Sequence, residues 1–201
     1  MRGNTYSKKQ SSEQISRKLS EFIKEIQYKN RNPVDNNVLK MLQEMETNPE
    51  LLFDSQQYLY RSRIVHSKDK LNGEYPFFGF GKDGSFVAPS ECTKDMRANY
   101  RYIPYLYCAT RPYLSVVEVR PRLGARVSVA RIRVNERLRL LDFSLQNYPK
   151  GMKPVKINLF YALSQLYSKP VTEDDDTLDY IPTQYIAEFV KRIGYDGIVF
   201  K

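Results

Sequence analysis

Apolar positions along the chain repeat with two different periods, and the change of period divides it. Ile15, Leu19, Phe22, Ile23 and Ile26 recur at three- and four-residue steps, the spacing of one helical face. Ser11 with Gln14 three residues on has the form of a capping box, so a helix is expected to open there. Residues 1–10 then read as a disordered basic tail. Asn32-Pro33 interrupts the pattern, because the residue before a proline is pushed out of the helical region. Val38, Met41, Leu42 and Met45 form a second stripe. Residues 1–56 are thus expected to be a tail and an N-terminal helical pair, whose stripes pack on the rest of the chain.

From residue 57 the elements become short and mixed. Residues 57–65, with Tyr58, Tyr60 and Ile64, read as a strand. Residues 73–84, with Phe77-Phe78-Gly79-Phe80-Gly81, read as loop or irregular strand, and their glycines fit no phosphate-binding fingerprint. A short strand is expected over 104–109. A helix over 110–119 follows, with Thr110 as cap and Pro112 in the first turn. Strands are expected over 126–134 and 137–143, with a turn at Asn135-Glu136. A helix at 157–167 and an acidic loop at 172–179 come next. A helix at 182–193 buries Ile186, Phe189, Val190 and Ile193. Gly194 ends it, and 196–200 form a last strand. With no regular βαβ repeat, the fold class is α+β.

Composition narrows the classes. Apolar residues make up 41 % and aromatics 13 %, with 16 Tyr, 10 Phe and no Trp, so the chain can bury a core. The charge of +9 suits a polyanion or a phosphate-bearing small molecule. The basic residues are scattered, though, and nucleic acid is a weaker expectation than a plain basic surface. Cys92 and Cys108 have neither metal nor redox spacing, which fits a reducing cytoplasm. No apolar run of about 18 residues suggests a membrane span, and the N-terminus has no apolar leader segment. His66 is the single histidine and lies in a polar stretch. Chemistry needing an imidazole or a metal site is therefore not expected.

The candidate chemistry lies in the segment from Arg97 to Pro121. Arg97 precedes Tyr107 by ten residues, and Glu118 follows it by eleven. Asn99 lies between, and Tyr60-Arg61 stands upstream on the expected 57–65 strand. Taken alone, Glu118 is an ordinary helix-end glutamate, Tyr107 a core ring and Arg97 a loop arginine. The valines at 116, 117 and 119 suggest that the turn bearing Glu118 is partly buried, and a buried carboxylate needs a partner.

In that joint spacing the chain resembles the RES family, named for its Arg, Glu and Ser. Leu59-Tyr60-Arg61, Leu140-Leu141-Asp142, Pro182-Thr183-Gln184 and Gly194-Tyr195-Asp196-Gly197 fit the same order. The resemblance implies a RES-like domain over 57–201, with an ADP-ribosyltransferase-like mixed β core and flanking helices. It implies cleavage of the nicotinamide–ribose bond of NAD, with NAD as substrate rather than resident cofactor and water or phosphate as acceptor. Glu118 would stabilise positive charge on the ribose, with Tyr107 stacking beside it. Arg61 and Arg97 would clamp the pyrophosphate, and Tyr60, Asn99, Thr183 and Gln184 would complete the NAD site. An antitoxin partner is implied, and the N-terminal helices could serve self-association. Tyr100 and Tyr102 depart from the family pattern, which has Pro and Gly there. The family serine has no counterpart after Ser168, so its role is expected nearer Thr183-Gln184, and the chain reads as short at its C-terminal end. Two other functions compete: transfer of ADP-ribose to a macromolecule, and nucleic-acid binding without catalysis.

Overall fold

In the computed structural model, the longest apolar stripe becomes the longest helix. Backbone is described for residues 3–33, 35–73, 78–144, 146, 148–169 and 177–200, and side chains from residue 12 onward. The chain forms two compact units of interleaved segments. The first takes Met1–Leu52, Asp95–Asn99 and Leu138–Lys201, and the second takes Phe53–Lys94 and Tyr100–Arg137. The first therefore draws on both sides of residue 56.

In the first unit, helix α1 spans Gly3–Tyr28. It buries Ile15, Leu19, Phe22 and Ile26, as the stripe requires, while Ile23 is half-buried. The helix opens at Gly3 and not at Ser11, so the stretch expected to be a disordered tail is helical from residue 3 on. Helix α2 (Asn37–Gln43) starts where Asn36 caps it, its side chain accepting from the Val38 amide at 2.8 Å. Its buried face is Val38, Leu39 and Leu42; Met41 and Met45 are only half-buried. Helices α5 (Pro154–Ser168) and α6 (Ile181–Arg192) receive α1. Phe22 meets Tyr185 edge-on at 5.9 Å. Gly194 follows α6 at φ 97°, the left-handed position a helix end favours.

The sheet of this unit has the order β1-β4-β5, with strands Glu50–Phe53, Leu138–Asp142 and Gly197–Val199. Strands β4 and β5 run parallel, with Leu141 opposite Ile198. Strand β1 carries no clear alternation and was not expected from sequence. Phe143 leaves the end of β4 into an aromatic cluster, 5.4 Å from Phe160 and stacked 5.1 Å from Tyr167. Each such buried ring contributes about 1.5–3 kcal/mol by burial.

In the second unit, β2 (Tyr58–Ile64) and β3 (Val127–Arg133) form an antiparallel ribbon, with Arg61 opposite Ala130. Strands β3 and β4, adjacent in sequence, belong to different sheets. Helix α4 (Pro112–Glu118) packs on both ribbon strands. Its cap position is Arg111, not Thr110, with Pro112 in the first turn. Residues 104–109 form no regular strand; a single bridge joins Ala109 to Tyr60. Within 73–84, Gly79 bridges Asn72, and α3 (Lys82–Ser85) follows. Residues 74–77, with Phe77, and most of the acidic 172–179 loop lie outside the described residues; 177–180 form a 3-10 turn.

The α+β class stands. Among the described residues no helix is long and apolar enough to cross a membrane, and no group of three or more His, Cys, Asp or Glu could hold a metal ion.

Candidate functional site

Strand β2 organises the second unit's share of the expected site. Its tyrosines and arginines alternate, and Ser62 is the one buried residue of the strand. The serine hydroxyl lies 2.7 Å from that of Ser115 on α4. Ser115 donates to the Pro112 carbonyl at 2.7 Å, so the proton between the two serines comes from Ser62. This buried relay fixes α4 against β2. Two residues before it, Tyr60 exchanges both backbone hydrogen bonds with Ala109, each 2.8 Å. One strand thus anchors the segment carrying Tyr107 and the helix ending in Glu118.

Arg61 is half-buried and donates to the Phe86 carbonyl. Burial, then the charge of Arg63, lowers its pKa from the ordinary arginine value. Its charge also acts on Cys108, whose thiol burial pushes up to about 11 while Arg61 pulls the other way. Arg63 donates to the Gly84 carbonyl and lies 4.0 Å over the Phe80 ring. Among the described residues, these contacts fix the two guanidinium groups by carbonyls and not by carboxylates.

Tyr107 is half-buried. Glu118 is exposed, which corrects the expectation of a partly buried turn. The physical reason is the length of α4: over seven residues only Ser115 is buried, and Val117 remains 50 % exposed. A carboxylate there is hydrated and open to an incoming ligand.

The other four candidates belong to the first unit. Gln184 and Thr183 are each 1 % exposed. The Gln184 amide nitrogen donates to the Asn99 carbonyl at 2.8 Å and the Met96 carbonyl at 2.9 Å, with Asp95 at 3.3 Å. It thereby closes the 95–99 turn. Thr183 donates to the Tyr180 carbonyl at 3.0 Å, and its own carbonyl accepts from the Tyr167 hydroxyl at 2.7 Å. Arg97 donates to the carbonyls of Leu166 (3.1 Å) and Lys169 at the end of α5. A cation is favourable there because the last carbonyls of a helix lack partners and carry its negative dipole end. The side chains of Gln184, Thr183 and Arg97 thus hold backbone carbonyls, and Asn99 is itself buried at 1 % exposure.

Sequence reasoning missed Ser62 and Ser115. Their signal was present: a small polar residue at an inward position of a strand, between two arginines, needs a buried partner.

A concavity lies wholly in the first unit, and none of the expected site residues lines it. It is a cleft of about 370 Å³ walled by Met45, Glu46, Asn48, Glu50, Arg139, Tyr148 and Pro149. Arg139 grips Glu50 with two nitrogens at 3.0 and 2.5 Å, and Tyr195 donates to it at 2.7 Å. Burial acts to raise the Glu50 pKa, but these bonds and the Arg139 charge hold it below the ordinary carboxylate value. Burial, then Glu50, pushes Tyr195 up to about 12. The pair joins β1 to β4, which is reason enough for its presence.

The family model for the RES domain matches residues 59–201, well over half of the chain. No curated protein and no solved structure matches.

Proposed function

The chain belongs to the RES-domain family, and from that premise we propose that it breaks the nicotinamide–ribose bond of NAD, with water or phosphate as acceptor. The observation that carries this reading is the double anchoring on β2. Tyr60 holds Ala109 and Ser62 holds Ser115, so the segments carrying Tyr107 and Glu118 are both tied to the strand that carries Arg61.

The reaction asks little of a protein in proton transfer. Nicotinamide leaves C1′ of the ribose as a neutral base, because it departs from a cationic pyridinium. The C–N bond breaks with its electron pair going to the ring, and positive charge remains on the ribose. An ionised carboxylate beside that charge stabilises the transition state, as in glycoside cleavage. Glu118 is assigned that role, with Tyr107 stacking on the departing ring. Arg61, with its fork geometry, is assigned the pyrophosphate, and Tyr60 a further contact with NAD. Asn99, Thr183, Gln184 and Arg97 are assigned the support of the 95–99 turn and the end of α5. The ADP-ribosyltransferase-like arrangement of the β core, a cytoplasmic setting and control by an antitoxin protein are part of the same reading.

The test is direct. The purified chain is incubated with NAD, with and without inorganic phosphate, and nicotinamide and the ribosyl product are followed. Free nicotinamide is expected in step with loss of NAD; an ADP-ribose-1″-phosphate product would name phosphate as acceptor, and ADP-ribose would name water. Label from NAD accumulating on protein or nucleic acid would replace this reading with macromolecular transfer. Intact NAD would sink both.

A further inference from the structure

The basic residues are not evenly of two kinds. Residues 100–137 hold eight arginines and no lysine, against two acidic residues, although arginine and lysine are equally common in the whole chain. The same stretch holds five tyrosines. A basic surface whose task is solubility uses lysine freely. Surfaces that bind proteins are enriched in arginine and tyrosine and depleted in lysine, because the planar fork and the rigid ring lose less freedom per contact.

The structure adds a displayed apolar anchor. Leu123 is 107 % exposed, more than any other large hydrophobic described. It stands in a tight turn closed by the Ala125 amide donating to the Arg122 carbonyl at 2.9 Å. Gly124 follows at φ 82°, the position at which a type II turn asks for glycine. The turn is thus preorganised, and the leucine is held out, not merely loose. Tyr113 (75 %) and Val117 (50 %) are exposed on α4, one helical turn apart, just before this loop. Arg120, Arg122 and Arg126 surround the leucine in sequence, all exposed. Arg120 is held at φ 46°, a conformation that costs a non-glycine residue energy. A fully hydrated leucine framed by arginines gains nothing in the free chain; its gain comes when a socket covers it.

We propose that Tyr113, Val117, Leu123 and the arginines at 120, 122 and 126 form a docking surface for an acidic protein partner. The partner presents an apolar socket for Leu123, rimmed by carboxylates that the arginines engage in forked pairs. The absence of lysine selects a protein over an anionic lipid surface, where either cation serves equally. The proposal does not rest on the NAD reading.

The probe is a labelled helical peptide with leucines on one face and glutamates on the other, titrated into the full chain by fluorescence anisotropy. A scrambled peptide of identical composition serves as control. The parent peptide is expected to bind saturably and at least several-fold tighter than the scrambled one. Leu123→Asp is expected to weaken it by about tenfold, the scale of an interface anchor. A triple arginine-to-lysine variant at 120, 122 and 126 keeps the charge and is expected to lose several-fold as well. Circular dichroism matched to the parent chain confirms folding, and Leu123→Ala gives a milder second reading of the anchor. Equal binding of both peptides, unchanged by Leu123→Asp, would reduce the surface to bulk charge and overturn the proposal. Leu123-dependent capture of phosphatidylserine vesicles or single-stranded DNA, without capture of the peptide, would overturn it in favour of a lipid or nucleic-acid partner.

Discussion

The two units are built by different means. The first contains nearly all the buried apolar side chains described, from Ile15 and Phe22 through Phe143 and Phe160 to Val190. The second contributes Val134 alone to that set. Its cohesion is polar: the β2–β3 ladder, the Ser62–Ser115 relay, and arginines 61 and 63 donating to carbonyls. Burial is worth energy in proportion to area and tolerates no voids, whereas single hydrogen bonds contribute about 1 kcal/mol net. The first unit is accordingly the reservoir of stability. The second has its side chains arranged around a strand and open to solvent, which is what a reactive surface needs.

The sharpest way to break that contrast is to open the first unit's core. Phe143→Ala removes a ring packed on both Phe160 and Tyr167 and is expected to cost about 3–5 kcal/mol, read as a lowered denaturation midpoint. A loss under about 1 kcal/mol would mean that the aromatic cluster is loosely packed. Next comes Gln184→Ala, which removes the buried side-chain donor to the carbonyls of Met96 and Asn99; about 1–3 kcal/mol should be lost. If Gln184 instead contacts a ligand, stability will hold and only binding will fall.

Ser115→Ala should cost about 1 kcal/mol and loosen α4, seen as faster amide exchange in residues 112–118. Unchanged exchange there would remove the relay from its positioning role. The smallest effect concerns Glu50. Its folded pKa lies below the unfolded value, so the contribution of the Glu50–Arg139 pair is present above the unfolded pKa. It is lost as pH falls through the folded one. Comparing the parent chain with Glu50→Gln across the acid range should show the two stability curves converging as pH drops. Parallel curves would deny the linkage.

How much of this was legible beforehand follows the same contrast. The stripe from Ile15 to Ile26 and the stripe of α6 declared themselves because helical burial repeats every three or four residues. The 57–65 strand was legible through its β-favouring tyrosines and isoleucine, and the spacing of Arg97, Tyr107 and Glu118, with the segments around it in the same order, pointed to the family. What was missed is what periodicity does not encode. Strand β1 is too short for an alternating signal, and β3 and β4 were set side by side in sequence yet enter different sheets. The burial of Gln184 and the use of Arg97 on α5 carbonyls are tertiary choices: nothing local distinguishes an arginine that caps a helix from one that meets a phosphate. Glu118 was expected to be partly buried because valines flank it, but a helix of seven residues presents too little face to bury them all.

The central claim is that the exposed carboxylate at the end of α4 performs chemistry while the first unit carries the fold. It is tested most directly by measuring nicotinamide release from NAD by Glu118→Gln beside its melting temperature. Loss of release by at least about a hundredfold with an unchanged melting temperature is the expected result, that being the scale on which removing one transition-state-stabilising group acts. Release that persists in the variant, from a chain equally stable, would contradict it.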